Sequence, residues 1–268
     1  MNIKLKKIKE VLSKEELGIL PASLTYYFVL AIIPLLTITV LVASSFNISV
    51  EQVITLISDI LPSKVSNFIV EIISGKGFDR NVGIFNLIAF FGATNGTYAI
   101  IKTANNLYKV KDTDMIKDRI KSILLLVNIL LLLIFLIVVP TFGENILSFI
   151  KTSKYFSGLT NEVILIFNIL KWPFTFFIIF FNIKLIYTLS PSKVLLSKYT
   201  TMGALIATIL WMVSSIIFGY YLEYFANYDI LYGNLSSIII LMIWLYVISF
   251  GFVLGMIINT YHYKEELK

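Results

Sequence analysis

A chain of 268 residues with 58% hydrophobic side chains and a mean hydropathy of +0.88 is too apolar for a water-soluble globule of ordinary composition, so lipid is its solvent. A formal charge of +6 would suit nucleic acid in a soluble protein, but in an apolar chain the position of the cations decides their meaning. The chain has no cysteine, which excludes disulfides, iron–sulfur ligation and zinc–thiolate sites.

The start is basic and amphipathic, with Lys4, Lys6, Lys7, Lys9 and Lys14 ahead of the first apolar run. It looks like the charged opening of a signal peptide, but the run behind it is too long and has Pro34 in its middle. We read it as an uncleaved first span over residues 24–42. Pro34 removes a backbone donor and crowds the preceding turn, which predicts a kink. Residues 48–73 change character: Val50, Val53, Ile54, Ile57 and Ile60, then Val65, Phe68, Ile69 and Ile72, repeat at helical spacing among charged positions. Two amphipathic helices fit this pattern, lying on the external membrane surface or capping a cavity.

A second span over 82–101 ends at Lys102 and leads into a charged loop over 109–121. The Asp112, Asp114 and Asp118 of that loop alternate with bases and read as a solvated helix face, not a metal cluster. The third span, 122–142, is nearly pure Leu, Ile and Val, and a polar loop over 143–161 follows it. The fourth, 163–186, contains Lys171 and Pro173, the second expected kink. The fifth and sixth, 200–222 and 235–260, are joined by a short aromatic link without Lys or Arg, which makes them a tight hairpin. Each run approaches or exceeds the ~20 helical residues that cross a hydrocarbon core. The expected fold is an all-α integral membrane protein, a single domain over 1–268 with six transmembrane helices.

Orientation follows from the cations. With the N-terminus cytoplasmic, the inside segments hold sixteen Lys and Arg and the outside segments five, which places both termini inside. The excess charge then faces the anionic lipids of the cytoplasmic leaflet, and no nucleic-acid partner is needed.

Small residues four apart let helices approach closely in lipid. Gly92 with Gly96, Gly203 with Ala207, and Gly251 with Gly255 mark the expected contact faces of spans two, five and six. Asn95, Lys102 and Asn106 form a polar stripe on span two, with Tyr98 and Asn105 beside it, serving either as interhelical glue or as cavity lining. Lys171 has no acid inside any span to pair with. It either reaches the outer headgroups or faces a cavity that selects anions.

Catalytic chemistry has little to build on. The one histidine, His262, lies between Tyr261 and Tyr263 and reads as part of an interfacial anchor. No phosphate-cradling glycine loop is present, and zinc would have to be held by carboxylates alone. No cofactor is expected.

Several stretches together resemble one family. Residues 22–35, Ala-Ser-Leu-Thr-Tyr-Tyr-Phe-Val-Leu-Ala-Ile-Ile-Pro-Leu, are similar to the opening signature of the YihY/BrkB family of bacterial inner-membrane proteins. Ala104, Asn105 and Tyr108 match its small-x-Asn-x-x-Tyr, and Pro191, Gly203, Trp211, Tyr228, Tyr232, Gly233, Trp244, Tyr246, Gly255 and Asn259 fall in its order. The resemblance covers nearly the whole chain and implies a six-helix protein of the bacterial cytoplasmic membrane. That family has been labelled both virulence factor and ribonuclease BN, and transport of envelope components is its physically reasonable activity. The family's Gly-x-Glu-x-Asn pattern in span six reads Gly255, Ile257, Asn259 here, so a mechanism resting on that carboxylate does not carry over.

The leading reading is a non-enzymatic transporter or flippase-like protein for an anionic, lipidic envelope component. Tyr26, Tyr27, Asn95, Lys102, Asn105, Lys171 and Tyr232 are expected to line its cavity. The alternative is a membrane scaffold whose external helices over 48–73 dock a protein partner, and a tRNA-processing nuclease ranks last.

Overall fold

The computed structural model describes residues 16–45, 49–60, 83–111, 113–152, 160–224 and 232–266, with the single positions 66, 67, 70 and 228. Its elements are helical: α1 (Glu16–Ser45), α2 (Val50–Ile60), α3 (Gly83–Leu107), α4 (Met115–Thr152), α5 (Thr160–Leu189), α6 (Thr201–Tyr224) and α7 (Ser236–Glu266). Short 3₁₀ turns, Ser197–Thr200 and Gly233–Leu235, lead into α6 and α7.

Two stretches among the described residues are long and apolar enough to cross a membrane as they stand, Ser197–Tyr224 and Ser236–Tyr263. A third qualifies when Leu17–Ile32 and Pro34–Val40 are taken as one span bent by 46°. The bend falls where Pro34 takes a donor out of the α1 ladder. Pro173 lies inside α5.

Each long helix packs on the next long one in the chain, and α7 returns to α1, so the bundle closes on itself. Lipid offers apolar side chains as much as a core does, so close packing and internal hydrogen bonds must hold such helices together. Gly92 and Gly96 supply the close approach of α3 to α1. A β-carbon on Gly96 would stand 2.9 Å from that of Ala31, and one on Gly92 would stand 3.0 Å from the Pro34 ring. The α6–α7 crossing is tighter still: a β-carbon on Gly203 would collide with the Gly255 carbonyl oxygen and the Asn259 amide. Ala207 lines the same crossing, and Gly251 faces Leu210 and Trp211. Hydrogen bonds reinforce it, from Gly203 N–H to Asn259 Oδ1 at 2.8 Å and from Trp211 Nε1 to the Ile248 carbonyl at 2.8 Å.

The largest buried cluster joins Leu24 of α1, Ile101 of α3, Leu125 of α4, Tyr187 of α5, Ala207 of α6 and Phe252 of α7. A second joins Val40, Val53 of α2, Phe218, Leu222, Ile240 and Leu241.

Helices run beyond the expected spans at several ends, most of all in α4. Helix α4 begins at Met115, inside the segment taken as a charged loop, because Asp114 caps it. Its carboxylate accepts the backbone N–H of Ile116 at 3.0 Å and of Lys117 at 3.3 Å. The same helix runs on to Thr152, through much of the expected polar loop over 143–161. Of the external helices expected over 48–73, α2 is described and is capped reciprocally by Ser49 and Gln52. Most of 61–73 lies outside the described residues.

Candidate functional site

The site stands on α3, α4 and the loop after α5. Thr97 clips the two helices together, its hydroxyl donating to the Ser122 carbonyl at 2.8 Å. Toward the turn between them, Asp118 is 1% exposed and Asn105 4% exposed. The Asp118 carboxylate accepts from the Ser192 hydroxyl and, at 3.4 Å, from Asn105 Nδ2, while Lys102 Nζ stands 3.6 Å away. Asn105 accepts the Ser192 N–H at 2.7 Å and donates to Ser192 Oγ at 2.8 Å. Lys121 Nζ donates to the Pro191 carbonyl at 2.7 Å. A buried carboxylate is costly unless donors and a cation surround it, and this one has both. The loop beginning at Ser190 is thereby bolted to the α3–α4 hairpin.

Asp118 therefore does not sit on a solvated face, which corrects the sequence reading. Asp118, Ser122, Leu125 and Leu126 recur at helical spacing and all turn inward. Ile116, Ile120 and Leu124 lie on the exposed side of α4. On this helix two polar side chains, Asp118 and Ser122, are buried while Ile116, Ile120 and Leu124 are exposed, a pattern that fits lipid better than water.

A second arrangement lies on the outer flank of the same pair. Asn95, Tyr98 and Lys102 are three and four residues apart, which puts them on one face of α3. The Arg119 guanidinium lies over the Tyr98 ring, 4.2 Å from its centroid, and donates to Asn95 Oδ1 at 2.9 Å. Lys102 Nζ is 5.1 Å from the same centroid. Asn95, Lys102 and Asn106 are exposed, so the stripe does not face the inside of the bundle, while the bond from Arg119 to Asn95 ties α4 to α3 as interhelical glue would. The inward face of α3 is occupied instead by Ala93, Gly96, Ala99 and Thr103, whose small side chains admit the neighbouring helices.

Beside the bolted loop, Tyr263 of α7 meets Tyr108 and Tyr199 edge to face, at 5.9 Å and 5.6 Å between centroids. Lys193 Nζ lies 4.0 Å from the Tyr263 ring centre and 4.8 Å from that of Tyr108. Burial, and secondarily the neighbouring Tyr263, pushes the Tyr108 phenol well above its ordinary pKa. The end of α3, the start of α4, the 190–200 segment and the end of α7 thus meet at one end of the bundle.

The other residues read as cavity lining have different surroundings. Tyr26 and Tyr27 are exposed and meet edge to face at 5.4 Å, and Tyr232 is exposed and stacks on Tyr228 at 6.2 Å. Lys171 belongs to α5 by its backbone, and its side chain lies outside the described residues. Ile257 is fully buried in the largest cluster, an apolar filling of that position. Among the described residues no group of three or more His, Cys, Asp or Glu is placed to hold a metal ion.

Sequence reasoning missed Asp118, Ser192 and Arg119. The signal for Asp118 was its period shared with Ser122 and Leu125, masked by the bases on either side.

Comparison with known proteins matches residues 9–268 to the family model described as virulence factor BrkB. YfkH of Bacillus subtilis, a protein named for a likeness to ribonucleases, is 27% identical over 249 residues, 91% of this chain and 90% of its own. The UPF0761 membrane protein MS0032 of Mannheimia succiniciproducens is 28% identical over 231 residues, covering 83% of this chain and 76% of that one. The UPF0761 membrane protein NTHI0384 of Haemophilus influenzae is 25% identical over 240 residues, 87% and 85% of the two chains. No solved structure matches.

Proposed function

Since the chain belongs to the virulence factor BrkB family and is a multi-pass protein of a bacterial membrane, we propose that it is a transporter of flippase type for an anionic, lipidic envelope component. In this reading it is one domain of six spans with both termini cytoplasmic, and it acts without catalytic chemistry or a cofactor. The observation that supports transport is the polar stripe on the exposed side of α3, where Asn95 and Lys102 are exposed one turn and more above exposed Phe91. A polar track on an apolar flank gives a headgroup a hydrated route while the acyl chains stay in hydrocarbon.

The test is translocation in vesicles. The purified chain is reconstituted into phosphatidylcholine vesicles carrying a trace of fluorescent phosphatidylglycerol, and dithionite quenches the outer leaflet. Quenching beyond the outer-leaflet half supports the reading. Quenching that stops at half, as in empty vesicles, removes it and favours the scaffold alternative.

A further inference from the structure

We propose that Lys102 and Arg119, converging on the Tyr98 ring, form a binding site for the phosphate of an anionic lipid headgroup. This deepens the transport reading and rests on it for the source of the ligand.

Three features of the molecule carry the assignment. The first is charge. Two cations lie within 5.1 Å of one aromatic ring centre, and the nearby carboxylate, Asp118, is buried and already engaged by Ser192, Asn105 and Lys102. Lys102 is paired with Asp118, and among the described residues Arg119 has no carboxylate partner, so the described groups of the pair carry one positive charge in excess.

The second is geometry. A guanidinium offers five N–H donors in a planar fork that fits phosphate oxygens two at a time. The Tyr98 ring 4.2 Å away and one bond to Asn95 position the Arg119 guanidinium, and among the described residues its other N–H donors have no partner. The ion is thus held in orientation before any ligand arrives, which lowers the ordering cost of binding.

The third is what surrounds the pair. On α4, three of the four positions three and four residues from Arg119, Met115, Ile116 and Ile123, are exposed and apolar, the fourth being buried Ser122, and Phe91 one turn below Asn95 on α3 is exposed and apolar too. A free phosphate would leave that surface uncovered. A lipid covers it with acyl chains while its phosphate reaches the cations, so the ligand is a membrane phospholipid carrying net negative charge.

The experiment uses the full chain purified in detergent, equilibrated with an equimolar mixture of dioleoyl phosphatidic acid and dioleoyl phosphatidylcholine, with bound lipid counted by native mass spectrometry. We expect phosphatidic acid to be retained over phosphatidylcholine. Each of Lys102→Gln and Arg119→Gln should weaken that retention about fivefold. Arg119→Lys should weaken it too, since it keeps the charge but loses the fork and the stacking. Lys109→Gln, an exposed cation in the neighbouring turn, should leave it unchanged. Equal retention of the two lipids overturns the site, as does a Lys109→Gln effect as large as that of Arg119→Gln. Full competition by millimolar glycerol 3-phosphate overturns the lipid assignment. Because retention is read without translocation, selective binding in a chain that fails the vesicle assay keeps the site and removes the transport reading. Translocation with no headgroup preference does the opposite.

Discussion

Asn105 and Ser192, eighty-seven positions apart in sequence, are joined by reciprocal hydrogen bonds of 2.7 Å and 2.8 Å, one from a backbone N–H and one from a side-chain amide. Asn105→Ala removes both and strands the half-buried Ser192 N–H. We expect a loss of ~1–3 kcal/mol, read as a lower midpoint for heat-induced aggregation of the detergent-purified chain. Asn105→Asp keeps an acceptor but sets a second carboxylate against Asp118, and should cost more than Asn105→Ala at neutral pH.

The α6–α7 crossing has no room for a β-carbon. Gly203→Ala and Gly255→Ala should each destabilise by ~1–3 kcal/mol through forced separation of the two helices. Gly219→Ala, with nothing within 4 Å of the added carbon, should stay within ~0.5 kcal/mol of the parent or gain helix propensity. The same aggregation midpoint ranks all three, and equal behaviour would refute the close crossing.

Asp114 gives α4 a pH-dependent start. The Lys117 backbone N–H foremost, then that of Ile116 and the Lys117 ammonium, hold its carboxyl below the ordinary value. A depressed carboxyl stabilises the fold above the unfolded pKa and loses that contribution as pH falls through the folded one, so the first turn of α4 should loosen below about pH 4. Backbone amides of Ile116 and Lys117 should then exchange faster with deuterium. In Asp114→Asn, whose amide oxygen caps without titrating, this acid-induced rise should vanish.

The proposed topology is testable directly because the chain has no cysteine of its own. A single cysteine in place of Lys111 or Lys198 should react with a membrane-impermeant maleimide only after the cytoplasmic face is exposed. One in place of Tyr232 should react in intact cells. Labelling of Lys111→Cys from outside reverses the orientation.

What could be read in advance depended on whether a residue's consequence is local. That the protein is helical and lives in a membrane follows from composition. The hairpin of α6 and α7 follows from two uncharged runs on either side of a short link, and both runs are long and apolar enough to cross. A proline in mid-helix acts on its own turn, and the 46° bend falls there. The polar hub was hidden because its members come from three segments and each looks ordinary alone. Asp118 sits between bases and resembles a solvated acid until Asn105 and Ser192 are brought to it by the fold. For Asn95 and Lys102 the sequence allows either interhelical glue or cavity lining, since both satisfy a polar group in a span. Choosing between them takes the fold, which sets Gly96 and Ala99 on the inner face and brings Arg119 and Tyr98 to the stripe on the exposed one.

The bend at Pro34 divides the allegiance of α1. Before it, Leu24 is locked among α3, α5 and α7; beyond it, Val40 belongs with Val53 of α2 and the far halves of α6 and α7. A swing of the upper limb about the proline would therefore reshape the end bearing α2 and leave the Asp118 end intact. One rod with a corner in it thus serves two separate cores, one at each end of the molecule.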